Sequence, residues 1–183
     1  MRELIIDCGP NSGRVVKLDQ DYLFRGTSHK KFMERIAGRD YYCGSEDDEY
    51  GLSTFVATNI DGAVSYCWYP PYRKSFYSSD DRDKDVVVYD ESSLVAIHDD
   101  GIGYIDEEGA YRFVRNRPLL LAIAHGKYPL RSPLDEGLVI PGRISLTDIV
   151  LVKSEKDLSN VLPPDNNLGD KAIQRVKLFA GIF

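Results

Sequence analysis

Cysteine is scarce in this chain: Cys8, Cys43 and Cys67 are the three in 183 residues, and no two stand in a C-x-x-C pair. That spacing suggests neither a zinc site nor a disulfide framework, so the thiols are expected to be reduced. No apolar run approaches the length of a membrane span. The opening Met1 to Asp7 carries acidic residues and only a brief apolar run, which does not read as a signal peptide. The expectation is a cytoplasmic protein without membrane contact. Basic excess is also lacking: 23 Lys plus Arg face 29 Asp plus Glu, a formal charge of -6. Without a basic footprint, non-specific affinity for nucleic acid or anionic membrane should be low. Repeats and low-complexity tracts are absent. The acidic cluster Glu46 to Glu49 lacks the glycine and spacing of a calcium loop and reads as a solvated surface, so no metal is expected.

The length suits a single domain, residues 1–183, with a real core. Leu4 to Ile6 and Val15 to Leu18 read as short strands around a Gly9 to Gly13 turn. Tyr22 to Phe24 is a strand that ends at Arg25. Phe32, Met33 and Ile36 then recur at helical spacing up to Gly38, with Thr27 or Ser28 as N-cap and Arg25 at the junction of strand and helix. Residues 39–50 read as an exposed loop. Leu52 to Thr58 is a strand, and Asn59 or Asp61 caps a helix over 61–68 that stops at Pro70. Residues 73–85 form a charged loop, and Val86 to Tyr89 and Leu94 to Ile97 are strands. Gly101 to Ile105 and Ala110 to Val114 form a hairpin. Pro118 to Ala124 suits a helix by its Pro start and Gly126 stop, and a buried strand by its unbroken Leu and Ile. Gly137 to Ile140 and Ile149 to Val152 are strands. Leu168, Ala172, Val176 and Phe179 mark a terminal amphipathic helix. Strands outnumber helices without a regular βαβ rhythm, which predicts an α+β fold of mostly antiparallel sheets.

Three stretches carry chemistry. In Tyr22-Leu23-Phe24-Arg25-Gly26-Thr27-Ser28, a permanently charged guanidinium precedes a glycine that lets a ligand approach the backbone. Gly51 to Tyr66 places Ser53 and Thr54 on a strand that feeds a helix. Asp135-Glu136-Gly137-Leu138-Val139-Ile140-Pro141-Gly142-Arg143-Ile144 sets a carboxylate at the head of an apolar strand. Each stretch alone also fits an ordinary surface ion pair, strand filler or strand cap. His98 and His125 have no nucleophile in an elbow context beside them and read as structural histidines. Gly101-Ile102-Gly103 lacks the following helix of a dinucleotide fingerprint.

In this order the three stretches, over about Tyr22 to Val152, resemble the mono-ADP-ribosyltransferase superfamily, in the branch marked by an arginine, a serine-bearing strand and a glutamate. The related branch that includes the poly-ADP-ribose polymerases has histidine in place of the arginine, and His29 does not match that position. The resemblance implies two facing, mostly antiparallel sheets that enclose an NAD cleft, with short flanking helices. It implies Arg25, Ser53 and Glu136 as catalytic residues, with Asp135 as fallback to Glu136 and Thr54 as second choice to Ser53. Arg25, Gly26, Thr27, Ser53, Thr54 and Tyr66 would bind the cofactor. A carboxylate beneath the sugar would stabilise the positive charge that builds as nicotinamide leaves. Arginine-modifying members carry Glu or Gln two positions before the catalytic glutamate. Leu134 stands there instead, so an arginine acceptor is not expected. The implied activity is transfer of ADP-ribose from NAD to a macromolecular acceptor, by a toxin, effector or phage modifier with a possible neutralising protein partner. An NAD glycohydrolase and a non-catalytic binding module, with acidic loops near Glu46 and Asp80 contacting a basic partner, are the alternatives.

Overall fold

The computed structural model describes residues 2–48, 51–68, 86–90, 93–98, 101–105, 111–114, 118–132, 137–165 and 168–182. The chain is mixed α+β, and all its strand-to-strand ladders are antiparallel among the described residues. In chain order the elements begin with β1 (Arg2–Ile5), β2 (Val15–Leu18), β3 (Tyr22–Ser28), α1 (His29–Ile36), β4 (Tyr41–Tyr42), β5 (Ser45–Asp48), β6 (Gly51–Val56) and α2 (Ile60–Trp68). Then come β7 (Val86–Asp90), β8 (Ser93–His98), β9 (Gly101–Ile105), β10 (Tyr111–Val114), β11 (Pro118–Ala124) and β12 (Leu138–Pro141). The last are β13 (Ile144–Ser145), a 3-10 turn at Leu146–Asp148, β14 (Ile149–Val152), α3 (Glu155–Val161) and α4 (Asp170–Ala180). The expected charged loop over 73–85 lies outside the described residues.

The central sheet has the order β14-β11-β3. Its middle strand is the segment whose sequence suited either a helix or a strand. Leu119, Leu121 and Ile123 enter one hydrophobic core, while Leu120 and Ala122 enter another on the opposite face. Period-2 alternation with both faces covered explains the unbroken apolar run and settles the strand. The first core joins this sheet to residues of the second three-stranded sheet, β12-β6-β5, through Val56, Leu138 and Ile140, and takes in Leu4, Leu18 and Phe32. The second core is covered by helices: Ile60 and Val64 of α2, Leu158 and Val161 of α3, Val176 and Phe179 of α4. The remaining sheets are the β1-β2 hairpin, β13-β4, and a four-stranded meander, β10-β9-β8-β7.

Two expectations are corrected. Within the expected exposed loop over 39–50, the described residues 39–48 are no loop: β4 pairs with β13, β5 pairs with β6, and Tyr42 and Cys43 are buried. Arg25 does not end its strand, because β3 pairs with β11 in register from Tyr22↔Ala124 to Ser28↔Pro118. It therefore sits mid-strand, and α1 begins at His29.

Candidate functional site

The two three-stranded sheets meet where β3 passes the end of β6. Phe24 and Ala57 exchange both backbone hydrogen bonds, at 2.9 and 2.7 Å, in an isolated antiparallel bridge. The pairing goes no further. The carbonyl of Phe55, which lies two residues back along β6, accepts from Nη1 of Arg25 at 3.1 Å. A side chain thus supplies a donor where a continuing ladder would have used backbone. At this discontinuity lies a cavity of about 600 Å³, lined by Arg25, Gly26, Phe55, Asn59, Ser132 and Gly137 among others. Its size falls within the ~300–1,000 Å³ of small-molecule and cofactor sites.

Arg25 is fixed from several sides. Its Nε donates to the Tyr42 hydroxyl at 3.1 Å, and Tyr42 itself is buried with its ring 5.3 Å from that of Phe32. The guanidinium also lies against Gly44, where a Cβ would stand 3.2 Å from Arg25 Cζ and 3.3 Å from Thr54 Cγ2. Gly44 is therefore a spacer that lets Arg25 and Thr54 approach the same backbone. The amide of Gly44 donates to Thr54 Oγ1 at 3.0 Å. Of the expected site residues, Arg25 and Thr54 are thus neighbours, and Arg25 and Gly26 line the cavity.

The others are placed less simply. Ser53 is fully buried between partners Pro141 and Ser45, and its carbonyl accepts from the Cys43 thiol at 3.4 Å. Thr27 is buried and does not cap α1, since among the described residues its hydroxyl has no hydrogen-bond partner. Tyr66 belongs to α2, but its side chain is outside the described residues. Asp135 and Glu136 are also outside them. The described residues on either side of that segment, Ser132 and Gly137, both line the cavity.

Asn59, one of the two expected caps of α2, holds the start of that helix at the cavity wall, its Oδ1 accepting from Gly62 N at 2.6 Å. The other, Asp61, pairs instead with Arg175 of α4 and ties the two helices together. The acidic Glu46 is not simply solvated. It ion-pairs with Arg35 at 3.3 Å and with Arg39, and the Arg39 hydrogen bond holds its carboxyl below the ordinary range. Burial pushes the Cys43 thiol up, and the thiol donates to the Ser45 carbonyl at 2.8 Å.

Sequence reasoning missed Tyr42, Gly44 and Arg14. The first two carried a faint signal in Tyr41-Tyr42-Cys43-Gly44, an apolar and small stretch between charged neighbours. Arg14 stands at the cavity on the segment between β1 and β2, and no local pattern marked it.

Among the described residues no group of His, Cys, Asp or Glu is arranged to hold a metal ion. No described helix is long and apolar enough to cross a membrane. Comparison with protein-family models, with curated proteins and with solved structures finds no match to this chain. What the fold and site define is a mixed α+β protein whose two antiparallel sheets part at an arginine-bearing cavity.

Proposed function

We propose that this protein is an NAD-dependent mono-ADP-ribosyltransferase with an ADP-ribosyltransferase-like fold, its two three-stranded sheets forming the walls of the NAD cleft. The observation that carries the reading is Arg25. Its motif, a cation followed by glycine, suits an anion, and it lines a ligand-sized cavity at the parting of two antiparallel sheets. Gly137, the residue after the proposed catalytic Glu136, lines the same cavity. The clamp of Tyr42 and Phe55 on the guanidinium supports a preorganised charge, which stabilises an anionic ligand without reorganisation on binding.

In the reaction, the bond between nicotinamide N1 and ribose C1′ breaks and its electron pair stays with nicotinamide, which leaves neutral. A lone pair of the acceptor forms the new bond to C1′, and the acceptor's proton passes to solvent. Glu136 stabilises the transient sugar cation, Ser53 orients the site, and Arg25 braces the diphosphate side. Leu134 stands where arginine-modifying members carry Glu or Gln, so the acceptor is another nucleophile on a macromolecule.

Incubation with labelled NAD and cell lysate tests this. Nicotinamide release with label on a macromolecule is expected, and Glu136→Ala should lower both by at least about a hundredfold, the scale of an electrostatic catalytic group. Release of free ADP-ribose alone would identify an NAD glycohydrolase, and no release at all would end the enzymatic reading. A binding module that uses Glu46 on a basic partner is disfavoured, because Arg35 and Arg39 already neutralise that carboxylate.

A further inference from the structure

The Arg25 guanidinium is committed to the framework through Tyr42 and the Phe55 carbonyl. A second cation stands at the same cavity. Arg14 lines it from the segment that leads into β2, and Arg14 is exposed. Among the described residues Arg14 takes part in none of the ion pairs. The described residues that line the cavity include these two arginines and no Asp or Glu.

The turn that carries Arg14 is anchored. Ile6 N donates to the Arg14 carbonyl at 3.0 Å, and Arg14 N donates to the Asn11 carbonyl at 3.1 Å. Asn11 Nδ2 donates to both the carbonyl and the hydroxyl of Ser132 at 3.2 Å, and Ser132 itself lines the cavity. Asp7 and Cys8 amides both reach the Leu130 carbonyl, at 3.2 and 3.3 Å. Gly9, with φ of +86°, lies so close under Arg131 that a Cβ would meet its Cγ at 2.5 Å. An exposed side chain on a pinned turn beside a fixed cation is an arrangement for gripping an anion that enters the cavity: the backbone is already ordered, and the fork can close bidentately.

We propose that Arg14 is the phosphate-gripping residue of this cavity, closing on the diphosphate of a nucleotide ligand while Arg25 sets the shape and charge of the wall behind it. The proposal rests on the NAD reading for its ligand and makes Arg14 a binding residue of that site. Its test is titration calorimetry of NAD, ADP and adenosine on the wild-type protein and on Arg14→Ala and Arg14→Lys, with thermal melts of each variant to show that it folds.

For wild type, NAD and ADP should bind with affinity that falls as salt rises. Arg14→Ala should weaken both at least about tenfold and flatten the salt dependence, leaving adenosine unchanged, and Arg14→Lys should restore part of the loss. An equal loss for adenosine, or no loss for NAD and ADP, would overturn the role of Arg14, even if the wild-type protein cleaves NAD. Arg14-dependent binding of ADP by a protein that neither binds nor cleaves NAD would keep the grip and sink the NAD reading. Absence of binding by all three ligands would sink both.

Discussion

At the scale of single residues, the arginine shows how much a side chain's role depends on what meets it. An arginine followed by glycine reads as a solvent-facing cation, but Arg25 alternates on one face of β3 with Leu23 and Thr27, both buried, and its head is met by the Tyr42 hydroxyl. Tyr42→Phe keeps the ring that packs on Phe32 and removes only that acceptor. A hydrogen bond to a charged group contributes about 1.5–3 kcal/mol. Urea unfolding of Tyr42→Phe should therefore show a midpoint lowered by a loss of that order with an unchanged m value. If the midpoint holds, Tyr42 does not anchor the guanidinium. Arg25 and Glu136 were legible as candidates because their residue types and neighbours form a motif. Tyr42 and Gly44 were not, since a spacer and an acceptor are defined only by the group they serve.

Among the elements, those with local signals were readable. The β1-β2 hairpin, the Gly38 stop of α1 and the Asn59 cap of α2 follow from turn and cap chemistry within a few residues. Helix α3 was overlooked although Ser154-Glu155-Lys156-Asp157 carries a reciprocal cap. Ser154 Oγ accepts from Asp157 N at 3.1 Å, and the Asp157 carboxylate accepts from Ser154 Oγ and from Lys153 N. Ser154→Ala should cost about 1 kcal/mol in stability by denaturant unfolding, and Ser154→Thr, which keeps the hydroxyl that both accepts from Asp157 N and donates to its carboxylate, should recover most of it. The opposite ranking would mean that Leu158 and Val161, packed in the second core, hold α3 without help from its cap. The short strand β4 had no such signal, because its partner β13 lies a hundred residues away in the chain and only that pairing makes it a strand.

Over the whole molecule, ion pairs tie distant segments: Glu46 to Arg35 and Arg39, Asp148 to Lys127, Asp61 to Arg175. Asp148 is held below the ordinary carboxylate range by hydrogen bonds from Lys127 and from the Tyr128 hydroxyl, and Tyr128 in turn accepts from Ser145 N at 2.9 Å. Glu46 is depressed likewise. A carboxylate with a lowered folded pKa adds stability that is fully present above its unfolded pKa and is lost as pH falls through the folded one. The melting temperature should therefore hold from neutral pH down to about 4.5 and drop below it, where unfolded carboxylates begin to bind protons that the folded ones refuse. Asp148→Asn and Glu46→Gln should each make that drop shallower. An acid limb identical to wild type in both variants would assign the loss to other carboxylates.

By itself the sequence determined the mixed α+β class and most of the strands, because hydrophobic period, caps and turn residues act over a few neighbours, and it marked three candidate stretches by residue type and order. Only the tertiary structure decided that Pro118 to Ala124 is the middle strand of a sheet with a core on each face. It alone decided that Arg25 points at Tyr42 and that Arg14 joins it at one cavity. Local rules fix what a segment prefers to be. Which segments become neighbours depends on burying two faces of one sheet at once, a condition that no stretch of chain meets alone.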